Sequence, residues 1–197
     1  MTTPIEYLRD KKAKGCTRCG LHKNRTRIVF GYGPETADFM VVDAAPGHQE
    51  DVDGLPLVGR SGTILDNLLK RAGVDFEETY RACLVMCRPP GDRPPSLAEV
   101  ERCSLYLHLQ IRLVRPKVIL ALGELAGRVL TGEENTPMSV LQPRVWEYEN
   151  KVTGYKCPVV VTHHPSWLLE RAKDPRAKLH AQRLLGDVER AVALCQR

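Results

Sequence analysis

The sequence contains no run of about 18 apolar residues, which excludes a helix long and greasy enough to span a bilayer. The stretch from Met1 to Lys14 is polar and basic and lacks an apolar core, so no secretory signal is expected. Internal repeats, low-complexity tracts and a recognisable linker are also missing. Disulfide chemistry is the next exclusion. Seven cysteines in 197 residues is an odd number and far too sparse for a disulfide scaffold. Without an export signal, a cytoplasmic location with reduced thiols is the expectation. What is present is ordinary globular composition, 43% hydrophobic and 27% charged. One domain over residues 1–197, large enough to bury a core, follows from that length.

The net charge of +5 is less informative than its distribution. Residues 1–30 carry eight Lys/Arg and two acids, whereas residues 31–66 carry seven acids and the single base Arg60. The segments 81–117 and 163–197 return to a basic excess. Basic flanks around an acidic stretch fit a nucleic-acid partner and equally fit solvated helix faces.

Four β-branched runs punctuate the chain: Phe39–Asp43, Tyr80–Met86, Lys117–Leu122 and Pro158–Thr162. The last two are nearly continuous apolar stretches, as strands buried on both faces require. Helical patterns fill the intervals. Ser61 is the expected cap of a helix bearing Ile64, Leu65, Leu68 and Leu69 on one stripe, stopped by Gly73. Ser96 and Glu99 form a capping box ahead of Val100, Cys103, Leu107, Ile111 and Val114. Gly123 opens a shorter helix, and Asp174-Pro175 precedes a final one. Alternating strands and helices predict an α/β fold, a three-layer α/β/α sandwich around a mainly parallel four-stranded sheet. Ligands in such sheets bind beyond the carboxyl ends of the strands. Here those ends lead into Gly- and Pro-rich loops: 44–62, 87–95 and 162–167.

Cys16 and Cys19 form a C-x-x-C pair, which is half of a metal site. Cys87, at a strand exit, and Cys103, on the next helix, are the candidates for the other half. Four thiolates suit tetrahedral zinc or an iron–sulfur cluster, and spacing alone does not choose between them. Cys83, Cys157 and Cys195 fall at core positions.

Several ordered motifs carry a resemblance to a known family. They are Cys16/Cys19, the run Cys87-Arg88-Pro89-Pro90 with Arg93 behind it, and Cys103. To these add Pro46-Gly47, Glu50-Asp51, Gly54, Pro56 and Val58-Gly59-Arg60-Ser61-Gly62, then Leu120–Gly123, and finally His164-Pro165-Ser166. The chain resembles the family 4 uracil-DNA glycosylases, the iron–sulfur branch of the uracil-DNA glycosylase superfamily, from Cys16 to about Leu185. The resemblance implies a base-flipping enzyme that hydrolyses the N-glycosidic bond of deoxyuridine. It implies a 4Fe-4S cluster on Cys16, Cys19, Cys87 and Cys103, with zinc as the lesser alternative. DNA would be the partner, the chain a monomer, and no membrane involved. His164 would contact the leaving base, with Asp43, Glu50 or Asp51 positioning water. Ala44, Ala45, Pro46, Gly47, Leu57 and Cys83 would line the base pocket. Arg60, Ser61 and Gly62 at a helix start would hold a phosphate, with Arg88, Arg93 and Ser166 also facing DNA. Trp167 could be core or could stack on a base.

The chain departs from the family pattern in the pocket. Ala44 stands where the family has an acid, Leu57 where it has a stacking Phe, and Cys83 where it has a base-reading Asn. A thiol donates and accepts poorly where an amide does both. Asp43 neighbours Ala44, but adjacent strand positions face opposite sides. An iron–sulfur DNA-binding protein with weak or absent hydrolysis is therefore the alternative reading.

Overall fold

A computed structural model describes residues 2–196. Five strands form the sheet: β1 Phe39–Asp43, β2 Tyr80–Cys83, β3 Val118–Leu122, β4 Val145–Glu149 and β5 Lys156–Thr162. Their order is β2-β1-β3-β5-β4. The pairings β1–β2, β1–β3 and β3–β5 are parallel, and β4 runs antiparallel to β5 at the edge. Among the described residues eight α-helices accompany them: α1 Pro4–Tyr7, α2 His48–Asp53, α3 Arg60–Arg71, α4 Leu97–Val114, α5 Gly123–Thr131, α6 Met138–Leu141, α7 Ser166–Glu170 and α8 Ala177–Cys195. None of the described helices is long and apolar enough to cross a membrane.

The layers follow from side-chain alternation. Met40, Val42, Ile119, Ala121, Val159 and Val161 face one core with Leu107 and Ile111 of α4 and Ala126 of α5. Phe39, Val41, Val118, Leu120 and Val160 face the other, with Leu65 and Leu69 of α3 and Leu184 and Val188 of α8. Both faces of the central strands are buried, and the α/β/α sandwich is as expected.

The strand count is corrected from four to five. In β4, Val-Trp-Glu-Tyr-Glu, only Tyr148 is buried. Edge strands with one wet face need little apolar signal, and this one alternates with acids. The second strand is also shorter than its apolar run, because residues 84–87 leave the ladder as bends. Ser96 caps α4 as predicted, its Oγ accepting from Glu99 N–H while Glu99 accepts from Ser96 N–H. At α3 the cap is Gly59, not Ser61, so Ser61 lies inside the first turn.

Candidate active site and cysteine hollow

The loops beyond β1, β2, β3 and β5 enclose a cleft of about 360 Å³. Asp43, the last residue of β1, and His164, just past β5, meet inside it: His164 Nε2 lies 3.3 Å from Asp43 Oδ2. Asp43 Oδ1 accepts from the N–H of Ala44 at 2.6 Å, which fixes the carboxylate. Residues 44–45 bend away from the strand, so alternation ends there, and both Asp43 and Ala44 line the cleft.

His164 is oriented from its other side by its own loop. The Ser166 N–H donates to Nδ1 at 3.2 Å, and Ser166 Oγ lies 2.8 Å from the same nitrogen. Because Nδ1 accepts, the neutral imidazole carries its proton on Nε2, towards Asp43. Burial pushes the His164 pKa down, but the Asp43 carboxylate, with Glu50 and Glu170 further off, outweighs it, and the net shift is upward.

The three acids proposed for the site have three different surroundings. Asp43 faces the cleft. Glu50 lines it too, but its oxygens already accept from Gly47 N–H at 3.1 Å, Val58 N–H at 3.1 Å and Gly59 N–H at 2.8 Å. It latches the loop between α2 and α3 closed. Asp51 does not line the cleft. It is buried, accepting from the backbone N–H of Thr26 at 2.9 Å and of Arg27 at 3.4 Å, and so ties the N-terminal segment to α2. The expectation that Asp51 positions water is corrected on that ground.

Ala44, Ala45, Pro46, Gly47 and Leu57 line the cleft as expected. Leu57 holds φ +57, a conformation unfavourable for leucine. The chain passes so close to Gly62 that a Cβ there would meet the Leu57 carbonyl oxygen at 1.9 Å. Gly62 is therefore a packing contact beneath Leu57, while Ser61 reaches the cleft and Arg60 is exposed. Cys83 is buried and outside the cleft lining, a second correction. It closes β2 opposite Asp43 in register, and the chain beyond it turns into the core.

The arginines of the 87–95 loop are already paired. Arg88 grips Asp92 through Nε at 2.6 Å and Nη2 at 2.8 Å, and donates to His48 Nδ1. Arg93 grips Glu99 with both Nη atoms, at 2.9 and 2.7 Å. That bidentate contact holds the Glu99 carboxyl down at about 2. Neither guanidinium is a free phosphate ligand, although Arg93 borders the cleft.

Trp167 is taken up within the protein. It stacks on His163 at 4.2 Å between ring centroids and meets His180 edge-on at 4.5 Å. Sequence reasoning missed Asp187 of α8, which accepts from Thr162 Oγ1 at 2.8 Å and Gln142 Nε2 at 2.6 Å. It pins the end of β5, directly ahead of the His164 loop. No motif marks it; it falls within an amphipathic helix.

Away from the cleft lining, Cys16, Cys19, Cys87 and Cys103 line one small hollow with Arg18, His22, Arg25, Met86 and Arg102. No carboxylate lines it. Cys87 and Cys103 are buried, and Cys103 Sγ accepts from the Met86 N–H at 3.4 Å. Among the described residues, no three His, Cys, Asp or Glu side chains gather as closely as one metal ion would require.

Comparison with known proteins agrees with this architecture. The profile of the uracil DNA glycosylase superfamily matches residues 30–186. A type-4 uracil-DNA glycosylase of Archaeoglobus fulgidus is 37% identical over 164 residues, covering 82% of this chain and 81% of that protein. One from Thermotoga maritima is 34% identical over 181 residues, covering 92% and 90%. A third, from Pyrobaculum aerophilum, is 34% identical over 161 residues, or 80% and 81%. With the superfamily profile matching residues 30–186 and type-4 relatives 34–37% identical over most of its length, the chain belongs to the uracil-DNA glycosylase superfamily and, within it, to the type-4 enzymes.

Proposed function

We propose that this protein is a DNA-repair glycosylase that hydrolyses the N-glycosidic bond of uracil in DNA, using the His164–Asp43 pair. The names of its relatives support the reaction class. The observation that carries the assignment of residues is the 3.3 Å approach of these two side chains inside the cleft.

In the reaction, the target nucleotide leaves the base stack and its base enters the cleft. The bond from C1′ to the base nitrogen breaks with its electron pair going to the base, so negative charge grows on the base and positive charge on the sugar. The His164 Nε2–H, directed at Asp43 before substrate arrives, is shared with a base oxygen that enters beside it, which stabilises the departing anion. Asp43 is the carboxylate nearest that proton; it holds the imidazole, offsets the sugar's positive charge and accepts a hydrogen bond from the attacking water. The water oxygen then bonds to C1′ as Asp43 takes one of its protons, and the base anion takes up a proton in turn, leaving an abasic site and the neutral free base. Ala45, Pro46 and Gly47 supply a rigid wall. The N–H groups that open α3, at Arg60 and Ser61, have no intrahelical partner and would donate to a phosphate. Every residue invoked belongs to one chain, so a monomer suffices.

Cys16, Cys19, Cys87 and Cys103 would hold a 4Fe-4S cluster. Their convergence on one carboxylate-free hollow supports that assignment. A single zinc draws its four thiolates to about 2.3 Å from one point. Thiols spread around a wall suit the larger group better. When bound, such a cluster would supply a covalent tie between the N-terminal segment, the segment carrying Cys87 and α4.

The test is single-turnover cleavage of duplexes and single strands carrying one uracil, set against hypoxanthine, xanthine and hydroxymethyluracil. Abasic product from uracil that disappears in His164→Ala is the expected result. The methyl of Ala44 and the absence of Cys83 from the lining favour a second reading, a DNA-binding protein with little hydrolysis. No product on any base, together with salt-sensitive DNA binding, would select it.

A further inference from the structure

Three arginines surround the cysteine hollow, and they behave differently. Arg18 Nε donates to the Arg102 carbonyl at 3.1 Å, and Arg102 Nη1 donates back to the Arg18 carbonyl at 3.2 Å. This reciprocal clasp fastens the Cys16–Cys19 loop to α4 beside Cys103, and both side chains are exposed. Arg25 is partly buried and reaches inward. Its Nη1 donates to the Cys16 carbonyl at 2.7 Å and to Cys87 Sγ at 3.4 Å. One guanidinium thus spans two of the three chain segments that bring the thiols together.

The electrostatics point the same way. Four thiolates around an iron–sulfur core leave a net negative group, and reduction makes it more negative. The hollow has no lining carboxylate, so the nearest fixed charges are guanidinium groups, and Arg25 is the one that touches sulfur among the described residues. Hydrogen bonds to cluster sulfurs and nearby charge are two of the factors that set such a potential. A fixed cation at hydrogen-bond distance favours the more negative state.

We propose that Arg25 is a positioning residue for the cluster: it holds Cys16 and Cys87 at one spacing and raises the cluster's reduction potential. This rests on the cofactor reading above, and goes beyond it by assigning two separable effects to one side chain.

The test compares anaerobically reconstituted wild type with Arg25→Met and Arg25→Lys. Iron and sulfide per chain are measured first, and a wild type with one zinc or no iron overturns the cofactor reading before either variant is considered. Loss of visible absorbance under excess iron chelator then reads positioning, and voltammetry reads the potential. Arg25→Met should release iron about 10-fold faster, the lower end for a residue orienting a ligand, and its potential should fall. Arg25→Lys restores the charge but not the fork, so its potential should return towards wild type while release stays fast. Faster release with no change in potential would remove the electrostatic half of the proposal. Wild-type release and wild-type potential in Arg25→Met would overturn it entirely. Thermal unfolding of the three apo-proteins separates either result from a general loss of fold.

Discussion

His164 Nε2 and Asp43 Oδ2 stand 3.3 Å apart although 121 residues separate them in the chain. The ends of β1 and β5, on either side of β3, bring them together. The contact joins an imidazole oriented by Ser166 to a carboxylate oriented by the N–H of Ala44. Each member is thus held from behind before substrate arrives, as electrostatic catalysis requires.

Asp43→Asn should lower the single-turnover rate by about 100-fold, the lower end for losing a positioned acid–base group. The pH profile carries the sharper prediction. In the wild type the carboxylate outweighs burial and raises the His164 pKa. The imidazolium therefore persists to higher pH, and the stability it gains from Asp43 is full below the ordinary histidine pKa and fades as pH rises through the raised one. Without that carboxylate, burial is opposed only by the more distant Glu50 and Glu170, and the His164 pKa falls. The limb of the rate–pH profile that reports His164 ionisation should move to lower pH in Asp43→Asn; an unmoved limb would detach His164 from it.

Glu50→Ala should destabilise the protein by about 2 kcal/mol, because the N–H groups of Gly47, Val58 and Gly59 lose their acceptor. Urea unfolding measures it. Glu50→Gln keeps one amide oxygen for Val58 and Gly59 and should recover part of the loss. A direct catalytic acid would instead show unchanged stability and a collapsed rate in both variants.

Gly62→Ala and Gly186→Ala should move stability in opposite directions. A methyl at Gly62 would drive into the Leu57 carbonyl at 1.9 Å, and overpacking of that kind costs about 1–3 kcal/mol. Gly186 lies within α8 with nothing within 4 Å of the added carbon, so alanine there should stabilise by about 0.4–1 kcal/mol. Thermal melts of the two variants read both signs. In Gly62→Ala, displacement of Leu57 should also weaken uracil cleavage.

Stripping the proposed cluster should loosen the N-terminal segment first. Chelation after reduction is expected to raise amide exchange in residues 14–27 and around Cys103, while β1, β3 and β5 stay protected. The strands are buried against α3, α4, α5 and α8 on both faces, which keeps them folded when the hollow empties. Uniform exchange before and after iron removal would count against the tie between those segments.

Much of the fold is legible in local pattern. Phe39–Asp43, Lys117–Leu122 and Pro158–Thr162 announce buried strands because a strand covered on both faces must be apolar throughout. Ser96 and Glu99 announce the start of α4 because a helix start must satisfy its first N–H groups. Edge strand β4 escapes such reading, since a half-solvated edge tolerates Glu147 and Glu149 as readily as valine. Ser61 misleads for a related reason: a capping residue type two positions past Gly59 looks the same in sequence whether it caps or faces a cleft.

By itself, the sequence determined the family, the α/β/α layers, the four gathered cysteines and the loops that border the cleft. The layers and loops rest on hydrophobic periodicity and turn chemistry, properties of neighbouring residues, whereas the family and the cysteine set rest on a resemblance carried by the order of motifs along the chain. The tertiary structure alone decided among Asp43, Glu50 and Asp51, three acids within nine positions whose types carry no hint of their different surroundings. It also paired Arg88 and Arg93 with acids, buried Cys83 outside the cleft and turned Arg25 onto Cys87. Those outcomes depend on which distant loop presents an N–H, a carboxylate or a sulfur within about 3 Å, the range over which hydrogen bonds act. A polar side chain's role is fixed by the partner it meets, and that partner is supplied by the fold.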